Sequence, residues 1–193
     1  SNVPEPKKKG ARFTPVSRRK DRPDAIAWFL RHHPEVTDAH TRGDPHLHDL
    51  GFTDRHYCSG PSREYGKNFG LNFPHALSIA KPARHPEVLL AHMVKFSAAL
   101  QSHFAGAIGW DAVNVFFAPF LVGLPDREVR QLAQILIYEY SQQAVARGGQ
   151  AIFSDINLYW ETPKHFETVP AIGPGGEYTG KTYADYLPEA QRF

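Results

Sequence analysis

"VRQLAQILIYEYSQQAVARGGQAIFSDINLYW", residues 129–160, holds two periods in one stretch. Val129, Leu132, Ala133, Leu136 and Tyr140 recur at three- and four-residue steps, which lays them along one face of a helix. Asp126 stands where a cap belongs. Arg147 followed by Gly148 and Gly149 supplies a stop, because glycine readily takes the left-handed conformation that ends helices. "QAIFSDINLYW" then turns β-rich with partial alternation, the mark of a strand. Helix, Gly-Gly stop and strand are the grammar of a mixed α/β domain.

Upstream, Val88, Leu89, His92, Met93, Phe96, Ala99, Leu100 and Phe104 make a second helical stripe, with Pro86 in its first turn. Between the two helices, "NVFFAPFL" (114–121) is apolar and interrupted by Pro119, so it reads as a buried strand or as a helix with a break. Residues 24–33 predict a short helix stopped by Pro34, and "EVTDAH" (35–40) a second one running to Gly43. A strand is expected over 46–58, then turns and one helical turn over 59–75. The tail from Ala171 is rich in Gly and Tyr and begins a helix-like stretch that stops short, so the chain reads as part of a larger unit.

The 193 residues suffice for one compact domain or for half of something larger, and 41% apolar with 22% charged residues is a globular composition. No apolar run approaches the ~20 residues of a membrane span, and no signal-peptide pattern opens the chain. The single cysteine excludes an internal disulfide framework and a multi-cysteine zinc site, which makes a reducing, cytoplasmic location the expectation. The net charge is only +2, and its basic excess lies in a Pro-containing leader, residues 1–22, with "KKKGARF" and "SRRK". That leader reads as a solvated tail or as a phosphate contact; without interleaved aromatics it does not indicate a nucleic-acid-binding protein.

"HLHDLGFTDRHYC" (46–58) concentrates the chemistry. On a strand, His46 and His48 share a face, and with Asp49 they could bind a metal if His56, His75 or His85 completed the set. The same residues could instead form a hydrogen-bonded shell around a pocket. Cys58 is either a small buried hydrophobe or a working thiol: Tyr57 precedes it, and Ser59 opens a flexible "SGPS" turn. Lys81, Arg84 and His85 stand just before a helix start, where cations and free N–H groups can hold a phosphate together. Gly175 to Thr182 satisfies the spacing of a phosphate loop, but Pro174 and the lack of a preceding apolar strand make this a chance match.

In order, "AHTRGDPHLHDL", "YCSG", "KPARH" leading into "HMVKF", "LQSHFAGAIGWDAVNVFFAPF" and "VRQLAQILIYEYSQQAVARGGQAIFSDINL" resemble the anaerobic, class III ribonucleoside-triphosphate reductases, which are glycyl-radical enzymes. The resemblance implies the first half of a ten-stranded α/β barrel, with residues 23–193 as its N-terminal part. It implies reduction of ribonucleoside triphosphates to deoxyribonucleotides for DNA replication, with Cys58 as the first-strand cysteine. His46, His48, Asp49, Tyr57 and Ser59 would be its pocket shell, so that the opening histidines serve a thiol rather than a metal. Lys81, Arg84, His85 and His92 would fall near a deoxynucleoside triphosphate effector site, in a homodimer under allosteric control.

The same resemblance implies cofactors beyond these residues. The glycyl radical would be raised by a separate activase carrying S-adenosylmethionine and an iron–sulfur cluster. The finger-loop cysteine, the radical glycine and a four-cysteine zinc site would belong to the rest of the reductase chain, so no metal is expected here and the segment alone should be inactive. Family members often carry Gln at the position of His92 and Asn at that of Asp155; Tyr57 replaces an Asn typical of formate users, which opens a thioredoxin-type dithiol as reductant. Another glycyl-radical enzyme, or a nucleotide-binding assembly piece of a split reductase, are the alternatives.

Overall fold

The computed structural model describes residues 30–45, 56, 58–61, 63–73, 77–101, 103–104, 106–143 and 151–193. Helix α1 (Pro34–Arg42) begins on its proline and ends at Gly43, whose φ of 85° is the left-handed stop expected there. Residues 30–32 are helical and His33 breaks the run before Pro34, as the sequence predicts; residues 24–29 lie outside the described residues. Helix α2 (Arg63–Phe69) is two turns long where only one was expected. Helix α3 (Pro86–Gln101) and strand β1 (Ile108–Trp110) follow, then helix α4 (Val113–Leu121), helix α5 (Asp126–Gln142) and strand β2 (Ser154–Ile156).

The sheet is parallel. Ile108, Gly109 and Trp110 of β1 pair with Ser154, Asp155 and Ile156 of β2, and Ser59 forms a parallel bridge to Ile108 on the other edge. Three chain segments therefore run side by side in one direction, with the Ser59 segment and β2 flanking β1. The connections carry helices, as parallel pairing requires of its crossovers. The expected strand 46–58 reaches the described residues only at its end, because 46–55 and 57 lie outside them.

Stretch 114–121 resolves as helix: all nine residues of α4 are buried, and Pro119 is accommodated inside it. A helix apolar all round must be covered on every side. Phe117, Phe120 and Leu121 pack in one cluster with Leu90, Val94, Ile108 and Val129. Val115, Phe116 and Ala118 pack in a second with Ala171, Tyr183 and Tyr186.

The two amphipathic helices need adjustment. On α5 the buried residues are Val129, Leu132, Leu136 and Tyr140, four of the five in the predicted stripe, while Ala133 is half-buried. Its N-cap is Pro125, with Asp126 the first helical residue. The helix runs to Gln142, and the Gly148–Gly149 stop lies outside the described residues. On α3 the buried set is Leu89, Leu90, Met93, Val94, Ser97 and Gln101, while Val88 is exposed. Two polar residues thus occupy the buried face. Ser97 Oγ donates to Met93 O at 3.0 Å, lies 2.7 Å from Tyr140 Oη and accepts Trp110 Nε1–H at 2.7 Å. One proton and two lone pairs are all used, which ties α3, α5 and β1 together. Ser97→Ala withdraws the acceptor shared by Trp110 and Tyr140. It is expected to cost about 1–3 kcal/mol in urea unfolding, and a loss under about 0.5 kcal/mol would count against the network.

The tail folds rather than trailing off. Strands β3 (Pro170–Ile172) and β4 (Tyr178–Thr182) are antiparallel, followed by a 3-10 turn (Tyr183–Tyr186) and helix α6 (Leu187–Ala190). Thr182 and Asp185 form a reciprocal capping box. Gly180, Lys181 and Thr182 lie within β4, so the phosphate-loop spacing has no loop behind it. Asn114 of α4 ties the tail down, donating to Tyr159 O (2.7 Å) and Ala190 O (2.9 Å) and accepting Tyr159 N–H at 3.0 Å.

Candidate functional site around Cys58

Cys58 lies at the head of the three parallel segments. Its thiol is exposed, and its sulfur accepts the Ala107 N–H at 3.3 Å. Ser59 is held in the sheet by its backbone: its N–H donates to Ala107 O (3.0 Å), and its carbonyl accepts Gly109 N–H (2.7 Å). The sulfur is thus fixed to the strand beside it while open to an incoming group. His46, His48, Asp49 and Tyr57 lie outside the described residues, as does His75. Among the described residues no three His, Cys, Asp or Glu side chains gather as metal ligands.

Beyond Cys58, where the parallel segments end, opens a cleft of about 610 Å³. Gly60, Pro61 and Glu64 form one side; Trp110, Asp111, Asp155 and Asn157 come from the ends of β1 and β2. The carboxyl ends of parallel strands are where α/β proteins place ligands, because the loops there are free to vary. Asp111 Oδ1 accepts Tyr159 Oη–H (2.9 Å) and Asn157 Nδ2–H (3.2 Å), so its position is set. Immediately after it, Ala112 is buried with φ of 49°, a conformation that costs a non-glycine residue energy. Val113 N–H donates to Asn157 O at 3.0 Å and holds that turn against the cleft. Strain of this kind is concentrated at functional sites.

Behind Glu64 lies an ion that the sequence did not advertise. Lys67 is 2% exposed, and its Nζ donates to Phe116 O at 2.9 Å and to Tyr183 Oη at 3.1 Å. The ammonium also faces the rings of Tyr183, Phe120 and Phe116, with centroids 4.9, 5.4 and 5.8 Å away. Burial pushes the Tyr183 hydroxyl well above the ordinary phenol range, and the neighbouring Glu64 carboxylate adds to that.

The expected effector residues do not form one constellation. Lys81, Arg84 and His85 are exposed in the turn before α3. His92 is half-buried and lines a separate apolar cavity of about 120 Å³ with Phe69, Phe73, Met93 and Phe96; none of the three lines that cavity. Burial lowers the His92 pKa below 6.5, and its Nδ1 has no hydrogen-bond partner among the described residues. A histidine whose folded pKa is depressed binds fewer protons folded than unfolded just below pH 6.5. Its contribution is therefore fully present above 6.5 and is lost as pH falls through the lowered folded value. His92→Gln is expected to flatten the acid side of a stability-against-pH curve, and a curve of unchanged slope would refute the assignment.

The profile of the anaerobic ribonucleoside-triphosphate reductase family matches residues 25–193. The chain belongs to this family. A second profile, that of the transcriptional cell cycle regulator TrcR, matches residues 1–42. No curated protein matches the chain. Among solved structures, the anaerobic ribonucleotide reductase from Thermotoga maritima in complex with dATP and CTP is similar with a TM-score of 0.65 and 19% identity, over 89% of this chain and 32% of that one. The same enzyme with dATP bound in the specificity site gives 0.63 at 20% identity, over 89% and 32%. With glycerol in the active site it gives 0.62 at 19%, over 98% and 35%. The reductase segment therefore spans about a third of these structures' chains. Among its described residues no helix is long and apolar enough to cross a membrane.

Proposed function

We propose that this reductase segment supplies the first-strand cysteine of an anaerobic, class III ribonucleotide reductase, with Cys58 as hydrogen and electron donor to the substrate. The observation that carries the reading is the exposed Cys58 thiol at the start of the parallel segment whose next residues, Gly60 and Pro61, line the cleft, in a chain of this family. The 2′ hydroxyl of a ribonucleoside triphosphate leaves as water, Cys58 delivers hydrogen, and the sulfur left oxidised is re-reduced by an external donor. Tyr57, where formate users typically carry Asn, opens that role to a thioredoxin-type dithiol as well as to formate. A glycyl radical elsewhere in the reductase, raised by an activase with S-adenosylmethionine and an iron–sulfur cluster, starts the chemistry.

The three parallel segments and their helices fit part of a ten-stranded barrel. Lys81, Arg84 and His85 remain candidates for contact with a deoxynucleoside triphosphate effector in a homodimer, because exposed cations at a turn suit phosphates. The histidines of residues 46–48 and Asp49 would shape the pocket, and zinc would lie outside this segment. The test is deoxynucleotide formation from a ribonucleoside triphosphate by the activated, complete reductase. A complete, radical-bearing enzyme that yields no deoxynucleotide would overturn the reading.

A further inference from the structure

The Cys58 chemistry makes no use of the buried ammonium behind the cleft. Burying a lysine is costly, and an apolar side chain would fill the same space without that cost. What the lysine adds is direction. Tyr183 is fully buried, and its hydroxyl oxygen accepts from Lys67 Nζ (3.1 Å) and from Ile172 N–H (3.3 Å). With its acceptor positions so engaged, its one proton is left for the neighbouring Glu64 carboxylate, whose negative charge favours the protonated phenol. Glu64 is on the same short helix as Lys67, three residues earlier, and lines the cleft. A carboxylate has more lone-pair sites than one phenol proton fills, and it only accepts.

We propose that Glu64 is a ligand-binding carboxylate of the cleft, positioned by Tyr183 and Lys67, and that it accepts a hydrogen bond from a hydroxyl of a sugar-bearing ligand. Across the cleft stand Asp111, Asp155 and Asn157, and none of the described lining residues is cationic. Such walls suit the neutral, donor-rich sugar of a nucleoside and not its phosphates. The inference rests on the nucleotide reading above and adds which part of the nucleotide this wall takes.

The test is a calorimetric titration of the complete reductase that carries this segment, with adenosine and with 2′,3′-dideoxyadenosine. The wild type is expected to prefer adenosine by about tenfold, the discrimination of one well-made hydrogen bond to a charged group. Glu64→Gln should erase that preference and leave dideoxyadenosine binding within about twofold, since only a hydroxyl contact is lost. Tyr183→Phe and Lys67→Met should reduce the preference by several-fold although Glu64 is present. A merely structural role for the pair would weaken both nucleosides in parallel. Glu64 is half-buried on a helix surface, so Glu64→Gln keeps the fold even where Lys67→Met does not. An unchanged preference in Glu64→Gln, parallel loss of both nucleosides, or a wild type that binds neither or both equally would overturn the proposal. Because the Cys58 reading is judged by deoxynucleotide product, the two failures are separable.

Discussion

Cys58→Ser, placed in the complete reductase, is expected to abolish deoxynucleotide formation while leaving glycyl-radical formation intact. On the proposed reading the radical is raised elsewhere, so activation would not pass through this strand whereas turnover would. A serine O–H bond is too strong to give up its hydrogen atom readily, and oxygen cannot take the place of sulfur in the oxidised species that follows. The fold should hardly register the change, because the thiol is exposed and its one described contact is the Ala107 N–H at 3.3 Å, which a hydroxyl can also accept. Electron paramagnetic resonance of the activated variant beside a product assay separates the two effects. Wild-type turnover in Cys58→Ser would reduce the cysteine to a structural residue; loss of the radical signal would place the defect in assembly instead.

The second large effect is expected at Gly70. Its φ is +71°, and a Cβ built there would lie 2.0 Å from Ala80 O and 2.6 Å from the Lys81 carbonyl carbon. Both are backbone atoms that cannot swing aside. Relief requires opening the antiparallel bridge next to it, in which Leu71 and Ala80 exchange hydrogen bonds of 2.8 and 2.9 Å. Gly70→Ala should therefore cost about 3–4 kcal/mol: ~1–2 for the left-handed conformation and roughly 1 for each bridge bond. Gly123→Ala is the matched control, with φ of +77° and nothing within 4 Å, and should show the conformational part alone. Equal losses in the two variants by urea denaturation would refute the clash argument.

What could be read ahead of the coordinates followed pattern length. The α5 stripe and the start of α3 at Pro86 span several turns, so their periodicity outweighs local noise, and both match. Stretch 114–121 was ambiguous between strand and helix because a segment buried on all sides has no polar face to reveal its period. Strand β1 went unread: three residues, the middle one glycine, are too few for alternation. The tail hairpin was missed for a similar reason, since its register depends on packing under α4 and not on any local pattern.

At the site, Cys58 was legible as the only cysteine. Glu64, Lys67 and Asp111 were not. A lysine and a glutamate one turn apart look like an ordinary solvated pair, and only the later arrival of Phe116 and Tyr183 over α2 turns Lys67 into a buried ion. For the effector candidates, spacing put Lys81, Arg84 and His85 in one exposed turn before a helix, but it could not show that His92 faces an apolar cavity.

The parallel sheet has a consequence for how the molecule comes to exist. Ser59 meets Ile108 and Ile108 meets Ser154, partners 49 and 46 positions apart along the chain (108 − 59 and 154 − 108). Each closure spends chain entropy before any pairing rewards it, whereas helices such as α3 and α5 can form from neighbours alone. The helical scaffold is thus expected to assemble early and the sheet to zip late. Cys58 acquires its Ala107 anchor, and the cleft its walls, only at that closing step. The arrangement around Cys58 is thus expected to be the last this chain gains on folding and the first it gives up on unfolding, so a largely helical population would already lack it.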